Sequence, residues 1–221
     1  MTIAPPARVR ILIADDHPLI RQGTRGVIVQ EPGWEVCGQA SNGRDAVAQA
    51  VALRPDVVLL DMTMPELNGL DAAIRIKREL PETEIAMLSS YGSEDLIRSA
   101  FEAGVKSFIV KTETEEFLVD AVKALASHKP FLTPRVSNVL FSSFLEPAGR
   151  DQAQPEGPLT AREREVVQLV AEGKTSKEVA GALDISLRTV ENHRAHILRK
   201  LNLHTSADMA RYAVRNKMIE P

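Results

Sequence analysis

Val57-Val58-Leu59-Leu60-Asp61 is the stretch that decides the fold. It is an uninterrupted apolar run, entered through Pro55-Asp56, that ends on a carboxylate and gives way to the turn-prone Met64-Pro65-Glu66-Leu67-Asn68-Gly69. A short run rich in valine and leucine reads as a strand buried on both faces, and such strands usually belong to parallel sheets. In open α/β sheets ligands bind beyond the carboxyl ends of the strands. Asp61 therefore stands at an address for chemistry, although an Asp after a strand is also a common turn or cap residue.

Outward from this run the same pattern repeats. Strand-like runs at 9–14, 34–40, 85–89 and 107–110 alternate with helical patterns near 18–30, 43–53, 69–79, 94–103 and 114–127. In the last of these, Phe117, Leu118, Ala121, Val122 and Leu125 recur at three- and four-residue steps, an apolar stripe along one side of a helix. Five βα units predict a doubly wound, five-stranded parallel sheet over residues 1–130. Beyond it, Val136, Val139, Leu140 and Phe144 predict one more amphipathic helix over 134–145. The three prolines and two glycines of 146–158 mark a linker, so residues 131–157 read as a linker with one helix. Residues 158–221 read as a smaller all-α domain, with helices at 160–171, 175–183, 186–201 and 206–217.

The chain has 221 residues, 44% hydrophobic and 26% charged, an ordinary balance for a globular protein of one large or two small domains. No apolar stretch approaches the ~20 residues of a membrane span, and residues 1–10 lack the apolar core of a signal peptide, so a cytoplasmic location is expected. Cys37, the single cysteine, reads as a small buried hydrophobe in the alternating Trp34-Glu35-Val36-Cys37. The net charge of -3 hides a division: residues 1–130 carry -5, residues 131–157 carry -1 and residues 158–221 carry +3. A mildly basic end permits nucleic-acid binding without establishing it.

Asp15 and Asp16 follow the first strand as Asp61 follows the third, so all three carboxylates should converge on one sheet edge. Close carboxylates repel and raise their own pKa values unless a cation or a basic side chain offsets them. Lys111, directly after the fifth strand, can supply part of that charge, and a hard divalent cation with oxygen ligands, Mg²⁺, the rest. Ser89 ends the fourth strand at the same edge. An acyl phosphate on Asp61 would require this set: a nucleophile, a shielding metal, and two groups to hold the added oxygens.

Ala14-Asp15-Asp16, Leu60-Asp61-Met62-Thr63-Met64-Pro65 with Gly69, Leu88-Ser89 and Phe108-Ile109-Val110-Lys111 resemble the receiver domain of two-component response regulators, a flavodoxin-like fold, over roughly residues 8–128. The resemblance implies that Asp61 accepts a phosphoryl group from a phosphohistidine on a sensor histidine kinase. It implies Asp16, Asp61 and the backbone carbonyl of Thr63 as Mg²⁺ ligands, with Asp15 binding through water. Ser89 and Phe108 match the family's hydroxyl and aromatic switch pair. Thr63 and Tyr91 occupy positions that influence dephosphorylation. Thr112 departs from the family's frequent proline after the lysine, which leaves the geometry of the Lys111–Thr112 peptide open; a cis bond there would cost about 3 kcal/mol.

In the helical end, Thr160 with Glu163 forms a capping box. Gly173 closes that helix, and Asp184-Ile185-Ser186 joins the next two as in a helix-turn-helix. On a helical wheel Leu187, Val190, Ile197, Leu198 and Leu201 share one side, and Arg188, Glu191, Asn192, Ala195 and Arg199 form a stripe opposite. A small bundle with a solvated face would look the same. Residues 159–167, 189–194 and 197–201 closely resemble the LuxR-type DNA-binding domain, and receiver plus this domain defines the NarL/FixJ subfamily. By that resemblance Glu191, Asn192 and Ala195 face base edges, while Thr175, Ser176, Lys177, Arg188, Thr189 and Lys200 contact phosphates of double-stranded promoter DNA. Glu191 departs from the lysine of some members, and can accept from cytosine N4 or support Arg188 or Arg194. His193, His196 and His204 lack the cysteine or carboxylate companions of a zinc site, and His17 and His128 read as exposed turn residues.

These features predict a transcription regulator that is no enzyme beyond autophosphorylation and self-dephosphorylation, that forms a homodimer on phosphorylation or on DNA, and that has RNA polymerase as a further partner. The stripe Met209, Ala210, Ala213 and Val214 is expected to be the self-association face of the helical domain, or else part of its own core. A phosphatase of the haloacid-dehalogenase type would need a second Asp two residues after the nucleophile, where this chain has Thr63. An output domain indifferent to phosphorylation would not need the set Asp15, Asp16, Asp61, Ser89 and Lys111.

Overall fold

An apolar run can leave water only if its backbone N–H and C=O groups find partners. In the computed structural model, which describes residues 8–145 and 159–219, residues 57–61 find them in a parallel sheet. The strands β1 (Val9–Ala14), β2 (Trp34–Ala40), β3 (Val57–Asp61), β4 (Glu84–Ser89) and β5 (Ser107–Val110) alternate with α1 (Pro18–Ile28), α2 (Gly43–Leu53), α3 (Gly69–Glu79), α4 (Glu94–Glu102) and α5 (Thr114–Leu125). β3 lies between β1 and β4 and is buried along its whole length, as a central strand covered by helices on both faces must be. One apolar cluster of this unit joins Ile11, Ile13, Val57, Leu59, Ala86, Leu88 and Ile109 of the sheet to Ile28 of α1 and Leu118, Val122 and Leu125 of α5.

The sheet has six strands in the order β2-β1-β3-β4-β5-β6, one more than the sequence predicts. β6 (Phe131–Leu132) pairs parallel with β5, Ser107 opposite Phe131 and Phe108 opposite Leu132. Two residues carry no periodicity, so alternation could not reveal it; the Phe131 ring, 6.2 Å from that of Phe117 in α5, helps hold it at the edge. α6 (Pro134–Leu145) follows, with Val136 fully buried, and touches β6 and α4. The linker expected at 146–158 lies outside the described residues. Cys37, on edge strand β2, is half-buried rather than buried, its thiol 3.4 Å from the Ile11 carbonyl, and burial raises its pKa, which disfavours the reactive thiolate.

The described residues fall into two compact units, and the second is all-helical. It contains α7 (Ala161–Ala171), α8 (Ser176–Leu183), α9 (Leu187–Lys200) and α10 (Ser206–Arg215). Thr160 with Glu163, Thr175 with Glu178, and Thr205 with Asp208 form complete capping boxes, which fix where α7, α8 and α10 begin. After α7, Gly173 adopts φ +85°, a left-handed conformation that lets the Gly173 and Lys174 N–H groups return to Val170 and Leu169 carbonyls. Asp184 takes φ 51° and ψ 50° to make the turn between α8 and α9. Val166, Val167, Val179, Val190, Ile197, Met209 and Ala213 form the core. Met209 and Ala213 are thus inside their own domain, while Ala210 and Val214 of the same stripe are half-buried outside that core. Leu187, expected on the apolar side of α9, is 45% exposed at the first position of that helix and lies outside that core.

Candidate functional site

A parallel strand pair can be joined only by a crossover, and the direction of crossover decides where a cleft opens. Here the chain leaves β1 toward β2 on one side and returns to β3 on the other, so the carboxyl ends of β1 and β3 meet at a topological switch point. The register pairs Ala14 with Leu60, which places Asp15 beside Asp61. Both are nearly inaccessible, at 1% and 2% exposure. The following loop is folded tightly: the Gly69 N–H donates to the Met62 carbonyl at 2.8 Å, and a Cβ on Gly69 would stand 2.0 Å from the Asp61 carbonyl oxygen. Only glycine permits that approach, and it fixes how Asp61 leaves the strand.

Lys111, after β5, brings its Nζ to 2.8 Å from Asp61 Oδ2 and 2.9 Å from Asp15 Oδ2. Burial pushes Asp61 up to about 7; the Lys111 ammonium opposes this, and Asp15 and Asp16 reinforce it. Burial would lower the Lys111 pKa, but Asp61 and Asp15 outweigh it and the lysine is raised. Asp15 Oδ2 and Asp16 Oδ1 are buried, with Lys111 Nζ 2.9 Å from the first and His17 Nδ1 2.7 Å from the second. Three carboxylates against one lysine leave the pocket short of positive charge, and its oxygen-rich donor set suits a hard divalent cation. The residues present fit Mg²⁺.

Thr63 is half-buried, its N–H 3.5 Å from Asp61 Oδ1. Ser89 is buried at the end of β4, where its Oγ accepts the Tyr91 N–H at 3.1 Å, and it pairs in register with Val110, the residue before Lys111. The Phe108 ring is fully buried, and Tyr91 is 37% exposed. Lys111 to Glu113 form a single 3₁₀ turn, and no described peptide bond is cis, so Thr112 in place of proline is accommodated in trans.

In the helical unit, Arg188, Glu191, Asn192, Ala195 and Arg199 lie exposed on α9, with Thr189 half-buried beside them. Thr175 and Lys177 are exposed at the start of α8, and Ser176 is half-buried. Arg194 reaches Ser176 Oγ and Ser206 Oγ, each at 2.6 Å, and so ties the starts of α8 and α10 to the middle of α9. Lys200 differs from the other phosphate candidates: its ammonium lies 3.0 Å from Glu163 Oε2, with the side chain only 10% exposed. His196 Nδ1 meets the other Glu163 oxygen at 2.7 Å.

The family model for the response regulator receiver domain matches residues 11–123, and that for bacterial regulatory proteins of the luxR family matches residues 157–213. The chain is a NarL/FixJ-type response regulator. The transcriptional regulatory protein LiaR of Bacillus subtilis is 37% identical to it over 211 residues, 96% of this chain and 99% of LiaR. The oxygen regulatory protein NreC of Staphylococcus carnosus is 32% identical over 216 residues, 96% of this chain and all of NreC. Among solved structures, a LuxR-family two-component response regulator from Aurantimonas sp. SI85-9A1 is 26% identical with a TM-score of 0.61, covering 63% of this chain and all of that one. ChrA, the response regulator of a heme-sensing two-component system, is 28% identical with a TM-score of 0.51, covering 96% of this chain and all of ChrA.

The regulator therefore couples a receiver to a LuxR-type DNA-binding domain, and it is a transcription factor. No helix among its described residues is long and apolar enough to cross a membrane. His17 and His128 are exposed turn residues as the sequence suggests, but each also meets a carboxylate that the sequence did not reveal. His17 was read as a turn residue, yet its Nδ1 stands 2.7 Å from Asp16 Oδ1 and 3.6 Å from Asp15 Oδ1. Its place next to Asp15-Asp16 was the signal. His128, likewise set aside, lies 2.9 Å from Glu84, a buried carboxylate also held by Lys77 and Lys106 at the opposite end of the sheet.

Proposed function

We propose that Asp61 accepts a phosphoryl group from the phosphohistidine of a sensor histidine kinase, and that this event controls dimerisation and promoter binding. The observation that carries the reading is the under-neutralised Asp15-Asp16-Asp61 cluster around Lys111, in which Asp61 is pushed up to about 7. A carboxylate that only punctuated a strand would not be buried against two others. In the transfer a carboxylate oxygen of Asp61 forms a bond to phosphorus, the phosphorus–nitrogen bond to the donor imidazole breaks, and the leaving nitrogen keeps the electron pair. Asp15, Asp16, Asp61 and the Thr63 carbonyl would hold Mg²⁺, which would shield the incoming negative charge. Lys111, already bonded to Asp61, is placed to hold one phosphoryl oxygen, and the Ser89 hydroxyl to hold another once it releases the Tyr91 N–H. Phe108 then adjusts to the space Ser89 leaves. Thr63 and Tyr91 would influence how fast water removes the phosphoryl group, and small phosphoryl donors serve in place of the kinase.

On DNA, Glu191, Asn192 and Ala195 face base edges, and Thr175, Ser176, Lys177, Arg188, Thr189 and Lys200 contact phosphates, with Arg199 a further DNA contact; the exposure of Arg188, Glu191, Asn192, Ala195 and Arg199 on α9, and of Thr175 and Lys177 at the start of α8, supports this arrangement. Lys200 is the exception within the set, since reaching a phosphate requires it to share or leave Glu163. A pair of recognition helices on a dimer, one DNA turn apart, would read a palindromic promoter site in the cytoplasm, with RNA polymerase as the neighbouring partner. The test is phosphoryl incorporation from acetyl phosphate with Mg²⁺, read by intact-protein mass. The wild type gains one phosphoryl group and Asp61→Asn gains none; incorporation into Asp61→Asn would refute the assignment.

A further inference from the structure

His17 is the N-cap residue of α1, yet its side chain makes no capping hydrogen bond. Its imidazole is turned instead toward the carboxylates. One ligand atom each from Asp15, Asp16, His17 and Asp61 lie within 4.8 Å of one another. His17 Nδ1 is 2.7 Å from Asp16 Oδ1 and 3.6 Å from Asp15 Oδ1. Those separations bracket the roughly 3.0 Å between neighbouring ligands on an octahedral ion with bonds of about 2.1 Å. The ring is half exposed, at 50%, so its orientation comes from the contact with Asp16 rather than from burial. The backbone fixes the loop independently, because the His17 N–H donates to Asp15 Oδ1 at 2.8 Å whatever the side chain is.

Resting on the reading of this pocket as a divalent-cation site, we propose that His17 is a further ligand there, and that its imidazole shifts the preference of the site from Mg²⁺ toward divalent transition metals. Carboxylates and water suit Mg²⁺, which seldom takes nitrogen, whereas imidazole suits the later first-row ions. A site with three carboxylates alone discriminates weakly. Adding one nitrogen donor within 4.8 Å of all three gives Mn²⁺ or Co²⁺ a bond that Mg²⁺ cannot use as well. The regulator's input site would then be loaded by whichever cation is abundant, with His17 setting the exchange ratio.

The experiment uses the full chain and metal ions alone. Affinities for Mg²⁺, Mn²⁺ and Co²⁺ are measured for the wild type, His17→Ala and His17→Asn, and electron spin-echo modulation is recorded on the Mn²⁺-loaded proteins. The expected result is a directly bound nitrogen signal in the wild type that disappears in both variants. Co²⁺ and Mn²⁺ affinity should fall by about tenfold or more while Mg²⁺ affinity stays within about threefold. If all three metals bind the wild type but no nitrogen couples to Mn²⁺, or if the variants weaken all three ions equally, His17 is no ligand and the cation reading survives. If the wild type binds no divalent ion, the cation reading itself falls and the inference with it.

Discussion

Asp61 and Glu163 are carboxylates with almost the same burial, 2% and 3% exposed, and the protein treats them in opposite ways. In the receiver, burial and the neighbouring Asp15 and Asp16 push Asp61 up to about 7 against the pull of Lys111. In the helical domain, burial would raise Glu163 too, but the Thr160 N–H, Lys200 and His196 outweigh it and hold it at about 2. Glu163 has a donor for each oxygen and serves the fold. The Asp61 cluster is left short of positive charge, and under the proposed function a divalent cation makes up that shortage before the site takes the added negative charge of a phosphoryl group. A buried carboxylate is structural when its partners are complete and available for chemistry when they are not.

The largest break in this comparison is Glu163→Ala. It removes the α7 capping box and leaves Lys200 and His196 unpaired beside the core, which should cost about 3 kcal/mol and lower the melting temperature of the helical domain by roughly 10 °C or more. Calorimetry of the full chain showing an unchanged second transition would contradict it. The sign with pH follows from the lowered value: the stability Glu163 contributes is complete above its unfolded pKa of 4.5 and is lost as pH falls toward 2.

Asp61→Asn should act in the reverse direction. A raised carboxyl pKa means that ionisation is penalised in the folded state, so stability declines as pH rises from 3.8 toward about 7. In chelator at pH 8 the substitution should stabilise the receiver by about 1–2 kcal/mol, and the gain should vanish near pH 4. Denaturant midpoints at the two pH values check this; an equal gain at both would mean that the substitution acts through packing. The smallest effect is expected at Asp184→Gly, where a residue held at φ 51° becomes one that tolerates it. The helical domain should gain about 0.5–1 kcal/mol in a thermal melt, with promoter affinity unchanged.

Much of the fold was legible because its signals are periodic. Unbroken apolar runs at β1, β3, β4 and β5, each followed by a polar group at one edge, carry both the sheet and the identities of Asp15, Asp16, Asp61, Ser89 and Lys111. The Thr160-to-Glu163 spacing carries the start of α7 in the same way. What escaped is set by contact rather than by period. β6 is two residues long and exists because β5 offers it an edge. His17 gains its place from the turn that brings Nδ1 onto Asp16, and Lys200 loses its expected freedom to a carboxylate 37 residues earlier. Met209 and Ala213 of the α10 stripe could be assigned to the core only once α7 was seen beside them.

The proposed function makes phosphorylation of Asp61, in a pocket whose charge balance is incomplete, the event that controls DNA binding. Its most direct test is promoter-DNA affinity and oligomeric mass of the full chain with and without beryllofluoride, a phosphoryl mimic, in wild type and Asp61→Asn. Beryllofluoride with Mg²⁺ should tighten DNA binding of the wild type by about tenfold and shift it to dimer, with no response from Asp61→Asn. Equal DNA affinity of the wild type with and without the mimic, or an equal response from Asp61→Asn, would contradict it.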